Sequence, residues 1–244
     1  MSELLSGSFF DAWDTYQKVV AGDYMFHREI GVEMNRVLRA RFDARSFSFL
    51  DLGCGDAAAL APLLEGLPIQ RYKGVDLSET ALALAAENLK ALPCPVELTH
   101  AHILAGLTGD VFYDVIYSSF ALHHLPTAQK AEFFQRAAQR LHKGGLLLLV
   151  DVLREEDETL EVYHKRYCGW LRSNFSALNG DEKDLICDHI VNNDLPEPRS
   201  VLEAQAQAAG PGITSHSARY GWHWLLCFTP AQNDDAGAGG TISE

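Results

Sequence analysis

Between Ser48 and Ala57 the sequence runs SFLDLGCGDA: an apolar run, an acid, then two glycines separated by one residue. Gly53, Gly55 and Ala58 match the spacing G-x-G-x-x-G/A, and Asp76 stands 23 residues after Gly53. Glycine at 53 and 55 lets the backbone turn sharply and approach a ligand with no side chain in the way. Asp51, two residues before Gly53 at the end of the apolar run, is placed to organise that loop and attract a cationic ligand. A carboxylate at 76 can accept from both hydroxyls of a ribose; its structural alternative is the N-cap of the next helix, shared with Ser78. Taken alone, the spacing permits a nicotinamide dinucleotide.

Histidines supply the other chemistry. His100 and His102 in THAHIL share one strand face, but with no third ligand nearby in sequence they read as polar strand-end residues, and no metal is expected. His123 and His124 in SSFALHHLP follow a further apolar run, at an edge where open sheets bind ligands. Packing or positioning at the start of the next helix is the favoured explanation of that pair.

These residues need elements to hold them. Residues 9–42 carry apolar positions at three- and four-residue steps on either side of Gly22, a helical pattern. Strands are expected at 47–55, 72–77, 96–102, 113–122 and 144–153, alternating with helices at 57–65, 78–92 and 128–141. The fifth strand, GGLLLLVDVL, is apolar almost throughout, as a strand covered on both faces is. Alternation of this kind implies a parallel sheet with right-handed crossovers. The regularity stops at Asp151. From Arg154 to about Ala209 the chain is polar and helical in pattern, longer than one crossover helix requires, and reads as an insertion over the sheet. ITSHSARYGWHWLLCF (213–228) suggests an antiparallel hairpin around Gly221, and the Gly-rich close over 231–244 is expected to be disordered.

Jointly, the motifs resemble those of the class I S-adenosylmethionine-dependent methyltransferases over roughly residues 45 to 153. FLDLGCGDA is similar to the family's first motif, GVDLSETAL to its second, YDVIYSSFALHHL to its fourth and LHKGGLLLLVD to the next. The resemblance implies an α/β, Rossmann-like fold with a seven-stranded sheet in the order 3-2-1-4-5-7-6, the last strand antiparallel, and a helical insertion after strand five. It makes Asp76, with Leu77 beside it, the ribose site. It puts Ser118 and Ser119 under the methionine end, with Phe120 and His123 near the sulfonium, and makes His124 a candidate base for the acceptor. At the end of strand three the family often carries an acid; here His102 stands in its place, where a neutral imidazole can accept one hydrogen bond and the backbone of Ile103 can supply the neighbouring contacts. A helix ahead of the first strand covers the cofactor in related proteins. That makes Tyr16 and His27 candidates for the methionine carboxylate, with core packing as their alternative.

In the insertion, Tyr163, Tyr167 and Trp170 fall on one helical face, as core or as an acceptor lid. Residues 1–230 therefore read as a single methyltransferase domain, with 9–42 as a helical cover and 155–209 as the insertion. The expected substrate is a small-molecule nitrogen, oxygen or sulfur nucleophile and the expected cofactor S-adenosylmethionine. A net charge of −13 argues against nucleic acid as a partner, because phosphate binding needs clustered cations. No run of 18 apolar residues is present, so no membrane span is expected. Five scattered cysteines without a C-x-x-C pair fit a reducing cytoplasm. An NAD(P)-dependent oxidoreductase, a tRNA-modifying methyltransferase and a non-catalytic cofactor-binding module remain as other readings.

Overall fold

The computed structural model describes residues 15–230 except 44 and 211. Seven strands, β1 (Phe47–Leu52), β2 (Ile69–Asp76), β3 (Val96–His100), β4 (Tyr113–Ser119), β5 (Leu141–Val152), β6 (Gly212–Tyr220) and β7 (His223–Pro230), form one sheet in the order 3-2-1-4-5-7-6. The first five are parallel, while β7 runs antiparallel to both β5 and β6. This is the sheet that the resemblance implies.

Alternating side chains explain why β1, β4 and β5 read as continuous apolar runs. Phe47 and Phe49 enter one core together with Val115, Tyr117, Leu146 and Leu148. Leu50 and Leu52 enter the opposite core with Ile116, Leu147 and Leu149. Each face is covered by helices, so no position along these strands can be left polar without a partner.

The first core is closed by α2 (His27–Phe42), whose Ile30, Met34, Leu38 and Phe42 recur at four-residue steps, and by α3 (Ala61–Leu64) and α4 (Glu79–Asn88). Ser78 caps α4, its side chain accepting from the Ala81 amide. The second core is closed by α5 (Ile103–Gly106) and α6 (Thr127–Arg140). Strand boundaries are tighter than the sequence suggests. β1 stops at Leu52, and α3 does not begin at Ala57, whose φ of 55° is left-handed. β4 stops at Ser119, because Phe120 turns out of the strand with φ 49° into a single 3-10 turn, Leu122–His124.

The segment after β5 divides into two functions. Helix α9 (Arg199–Ala208) packs on α6 and β6 and is the ordinary crossover helix, its Leu202 and Ala206 lying in the second core. The addition is therefore the pair α7 (Leu160–Asn174) and α8 (Gly180–Asn193), which pack on each other. Thr159 caps α7, and a reciprocal capping box between Asn179 and Glu182 starts α8. A third apolar cluster holds the pair down: Tyr163, Tyr167, Cys168, Leu171 and Phe175 from α7, Cys187 and Ile190 from α8, with Val152 of β5 and Val19. Val19 belongs to residues 15–21, the described part of helix α1. The part of the 9–42 pattern before residue 15, and the 231–244 tail, lie outside the described residues. No helix among the described residues is long and apolar enough to cross a membrane.

The tyrosine stripe is thus packed into this cluster. Tyr163 is fully buried, stacked on Tyr167 with ring centroids 5.4 Å apart, and its hydroxyl is buried without a hydrogen-bond partner among the described residues. Truncating a buried aromatic ring costs about 3–5 kcal/mol, whereas deleting an unsatisfied hydroxyl removes a desolvation cost of about 1–3 kcal/mol. Denaturant unfolding should therefore show Tyr163→Ala losing stability on that scale and Tyr163→Phe losing none or gaining. A Tyr163→Ala protein as stable as the parent, with turnover lost, would instead put this ring in the acceptor pocket.

Candidate functional site

A cavity of about 420 Å³ lies along the carboxyl edge of the sheet, within the size range of small-ligand sites. The chain order makes it: β1 is flanked by β2 on one side and β4 on the other, so the loops leaving β1 and β4 part there. The loop after β1 forms its floor. Gly53 sits at φ 78°, and a side-chain carbon there would stand 2.5 Å from the Ala121 Cβ, so both backbone and space demand glycine. Gly55 at φ 53° has nothing within 4 Å of where a Cβ would be; its constraint is conformational, and its bare face is open.

Asp76 ends β2 and ties this floor to the next loop. One carboxylate oxygen accepts from the Gly55 amide at 2.8 Å and the other from the Ser78 amide at 2.8 Å. The carboxylate lines the cavity beside Leu77, Ile103 and His102. His102 caps α5, its Nδ1 accepting from the Leu104 amide at 3.2 Å. Its neutral ring then carries the proton on Nε2, which makes it a donor toward the cavity. That differs from the acceptor role expected of it.

At the other end, Asp51 is buried in the cavity wall. Its Oδ2 accepts from the Tyr72 hydroxyl at 2.6 Å, while its Oδ1 has no partner among the described residues. Burial pushes this carboxyl up to about 7, against the lowering effect of the Tyr72 bond, and Asp76 adds to the rise. His27 lines the same end. Its buried Nδ1 also lacks a partner among the described residues, and burial lowers its basicity against the raising effect of Asp23. Phe120 lies edge-on to His27 with centroids 5.4 Å apart, which helps hold its left-handed backbone. Tyr16 reaches the cavity from α1, and Met25, Ile30 and Met34 give it an apolar wall.

Four expected site residues are placed elsewhere. Of the two serines expected at the methionine end, Ser118 is buried and donates to the Leu52 carbonyl at 2.8 Å, and Ser119 faces the cavity. Tyr163 and Tyr167 lie behind Phe120 in the third core; the Tyr167 hydroxyl donates to His223 Nε2 at 2.9 Å, because His223 Nδ1–H is spent on the Tyr220 carbonyl. Burial lowers His223 to about 4, keeping it neutral. His123 is buried one layer back from the cavity, its Nδ1 bonded to Asp151 Oδ1 and its amide donating to Asp151 Oδ2 at 3.0 Å. Burial would lower His123, but the Asp151 carboxylate outweighs it and raises its pKa, with Asp194 adding to the effect.

His124, in contrast, lines the cavity. Its Nδ1 stands 3.2 Å from Asp194 Oδ1, and His123 Nε2 is 3.7 Å from the same oxygen. Asp194, at the end of α8, carried no sequence signal, since nothing in VNNDLP separates it from other loop acids. Asp151 was findable: like Asp51, it is an acid closing an apolar strand. Asp56, which also lines the cavity and caps its own loop through the Ala58 amide at 3.1 Å, was likewise missed.

Charge discriminates among ligands. Asp51, Asp56 and Asp76 line the cavity, and among the described residues no Lys or Arg does. A dinucleotide pyrophosphate would meet carboxylates without a compensating cation. A ligand with a sulfonium and an ammonium group meets the partnerless oxygen of Asp51 instead, so these residues fit S-adenosylmethionine. Residues 49–145 match the family model described as a methyltransferase domain. Over those residues the chain carries a methyltransferase domain of the class I S-adenosylmethionine-dependent kind. S-adenosylmethionine is its cofactor. The methyltransferase is 24% identical over 195 residues to the carboxy-S-adenosyl-L-methionine synthase of Shewanella baltica, covering 77% of this chain and 75% of that one. Its fold is similar to that of the magnesium protoporphyrin IX methyltransferase of Synechocystis PCC 6803, solved with bound S-adenosylhomocysteine, with a TM-score of 0.63 at 15% identity over 92% of this chain and 94% of that one. It is also similar to a plantazolicin methyltransferase solved with a substrate analogue and S-adenosylhomocysteine, with a TM-score of 0.61 at 14% identity over 93% and 94% of the two chains.

Asp51 makes the methyltransferase sensitive to pH in a defined direction. Its folded-state pKa of about 7 lies above the ordinary 3.8, so the folded protein keeps a proton that the unfolded chain has lost. Stability therefore falls as pH rises from about 4 to about 7, by roughly 4 kcal/mol at about 1.4 kcal/mol per pH unit. Asp51→Asn should remove that slope in denaturant unfolding across the window. A cationic ligand favours the ionised form, so S-adenosylmethionine affinity measured by calorimetry should climb up to about tenfold per pH unit below about 7 and level off above it. A flat profile from about pH 5.5 to 8 would remove Asp51 from the ligand's charged end.

Proposed function

We propose that this methyltransferase acts on a small-molecule nitrogen, oxygen or sulfur nucleophile. The observation that carries the reading is the cavity whose described lining holds three carboxylates and no Lys or Arg, beside the His124–Asp194 corner. Asp76 takes the ribose hydroxyls, using lone pairs left over from its two backbone bonds. Leu77 and Ile103 flank the adenine, and His102 donates toward it from Nε2. Asp51 and His27 take the ammonium and carboxylate of the amino-acid end, with Tyr16 closing over them.

S-adenosylmethionine supplies an activated methyl carbon, which an acceptor's lone pair attacks in line with the departing sulfur. What the chain must add is alignment and dryness, worth about 7–11 kcal/mol when the reactants are held well. Phe120, fixed between His27 and His223, and the apolar wall of Met25, Ile30 and Met34 supply both. A protonated acceptor must also lose its proton, and the His124–Asp194 corner is where this chain holds groups for that step.

The activity named for the Shewanella baltica relative implies a carboxylated product. A carboxylate on the ligand would add a negative charge to a cavity whose described lining offers no Lys or Arg, which favours methyl transfer.

Asp76→Ala should weaken S-adenosylhomocysteine by at least about 1.5–3 kcal/mol in calorimetry, since it removes charge-assisted hydrogen bonds and also releases Gly55. Unchanged affinity in a folded variant would exclude Asp76 from the site, and NADH binding in its place would restore the oxidoreductase reading. With a net charge of −13, no tRNA binding is expected at physiological salt in a filter assay. Micromolar affinity that falls steeply with salt would make RNA the acceptor class.

A further inference from the structure

The corner at His124 holds more than a proton acceptor needs. His123 Nε2, His124 Nδ1 and Asp194 Oδ1, two of them from the turn after β4 and one from the end of α8, all lie within 4.8 Å of one another. Two of the separations are 3.2 Å and 3.7 Å. Ligand atoms at about 2.0–2.1 Å from a tetrahedral ion stand about 3.3–3.4 Å apart, so two edges of such a site are already formed. The third, between the two histidines, is no more than 4.8 Å, and the His124 side chain is 41% exposed and has room to adjust.

Asp194 Oδ1 is buried where three imidazole nitrogens meet, His124 Nδ1 at 3.2 Å, His123 Nε2 at 3.7 Å and His189 Nε2 at 3.9 Å, and none of them makes a well-aligned hydrogen bond to it among the described residues. A carboxylate oxygen buried in this state gains from a further partner. His123 and Asp194 are both held from behind. His123 Nδ1 is bonded to Asp151, which fixes that ring with Nε2 free to coordinate, the arrangement that carboxylate–histidine–metal sites use. The Asp194 backbone is pinned on both sides: its amide donates to Ile190, and its carbonyl is bonded by His164 Nε2 at 3.0 Å. The Leu195 amide in turn donates to the His123 carbonyl at 2.8 Å, locking the α8 end onto the histidine turn.

We propose that His123, His124 and Asp194 bind a divalent first-row transition ion of the zinc, cobalt or iron(II) class, with its open position toward the cavity that His124 lines. Two imidazoles and one carboxylate suit such ions, whereas magnesium prefers oxygen ligands and water. The inference rests on the small-molecule reading. An ion at the cavity wall would hold an acceptor's oxygen or sulfur as its anion. The acceptor proton leaves to solvent, the freed lone pair forms the bond to the methyl carbon, and the carbon–sulfur pair departs with S-adenosylhomocysteine.

The test uses the full chain, stripped with a chelator and titrated with Zn²⁺, Co²⁺ or Mg²⁺ by calorimetry. Visible absorption reports Co²⁺ geometry. One Zn²⁺ or Co²⁺ per chain, d–d bands of a low-coordinate site, and no Mg²⁺ uptake are expected. Asp151→Asn should cost about 10- to 100-fold in Zn²⁺ affinity through loss of the buttress, and His124→Gln and Asp194→Asn more than that. S-adenosylhomocysteine affinity, measured in every variant as the control on folding, should stay within a few-fold. His124→Gln changes a partly exposed side chain and so keeps the test decisive if Asp194→Asn fails to fold. Absence of Zn²⁺ and Co²⁺ binding, or binding that His124→Gln leaves unchanged, overturns the site and leaves the cluster as a His–Asp proton acceptor. Loss of S-adenosylhomocysteine binding in the parent chain with Zn²⁺ retained would instead overturn the functional reading and leave the ion site standing.

Discussion

The cofactor edge of this molecule depends on one carboxylate. Asp76 accepts from the Gly55 amide with one oxygen and from the Ser78 amide with the other, so the loops leaving β1 and β2 are clasped by a single side chain. The clasp works because the Gly53 and Cys54 amides both donate to the Val75 carbonyl, at 2.8 and 3.1 Å, which folds the β1 loop back over the end of β2. That fold is possible only with left-handed backbone at 53 and 55, and only if the Ala121 methyl can press against a residue that has no Cβ. Loop, strand end and the turn after β4 therefore come as one unit, and the cavity is the space that this unit cannot fill.

A cavity made this way concentrates charge that the protein does not neutralise by itself. Asp51 is held in an apolar surround with one hydrogen bond, from Tyr72, and a second oxygen without a partner among the described residues. A surround that pushes a carboxyl up to about 7 destabilises the ionised fold, and a cationic ligand reverses the cost. Asp194 is shifted the other way: although burial works against it, the neighbouring His124, His123 and His189 hold its carboxyl below the ordinary value. Burial without full pairing is rare in native proteins, and the partnerless oxygen of Asp51 marks this end of the cavity as built for binding.

How much of this was legible depended on the period of the signal. Apolar runs gave the strands, and motif resemblance gave their order, because β1 and β4 are buried on both faces and leave no polar interruption. Parity was harder. Ser118 and Ser119 differ by one residue and so face opposite sides of the sheet, and nothing in SSF says which side holds the ligand. Helical spacing put Tyr163 and Tyr167 on one face without saying whether that face meets a cavity or β5. Segment length implied an insertion but not that its last helix, α9, is the crossover. Asp194 was invisible because its role comes from 70 or so residues of intervening chain folding back on His123, a purely tertiary event.

Tyr16, Met25 and His27, from α1 and the start of α2, reach the cavity, and this segment is fastened chiefly to the α7–α8 pair. Tyr24 stacks on Phe175 at 4.3 Å and its hydroxyl accepts from the Ala177 amide at 2.7 Å, while Lys18 pairs with Glu182 at 2.6 Å. An aromatic stack contributes about 0.5–1.5 kcal/mol beyond burial, and the Lys18–Glu182 pair adds a partly buried ionic contact. Against them, the sheet is held by two continuous cores with helices on both faces. Because α8 ends in Asp194, whatever moves the α7–α8 pair also moves a carboxylate that faces His123 and His124. The contacts between α1 and the helices added after β5 therefore help fix where Asp194 stands relative to His123 and His124.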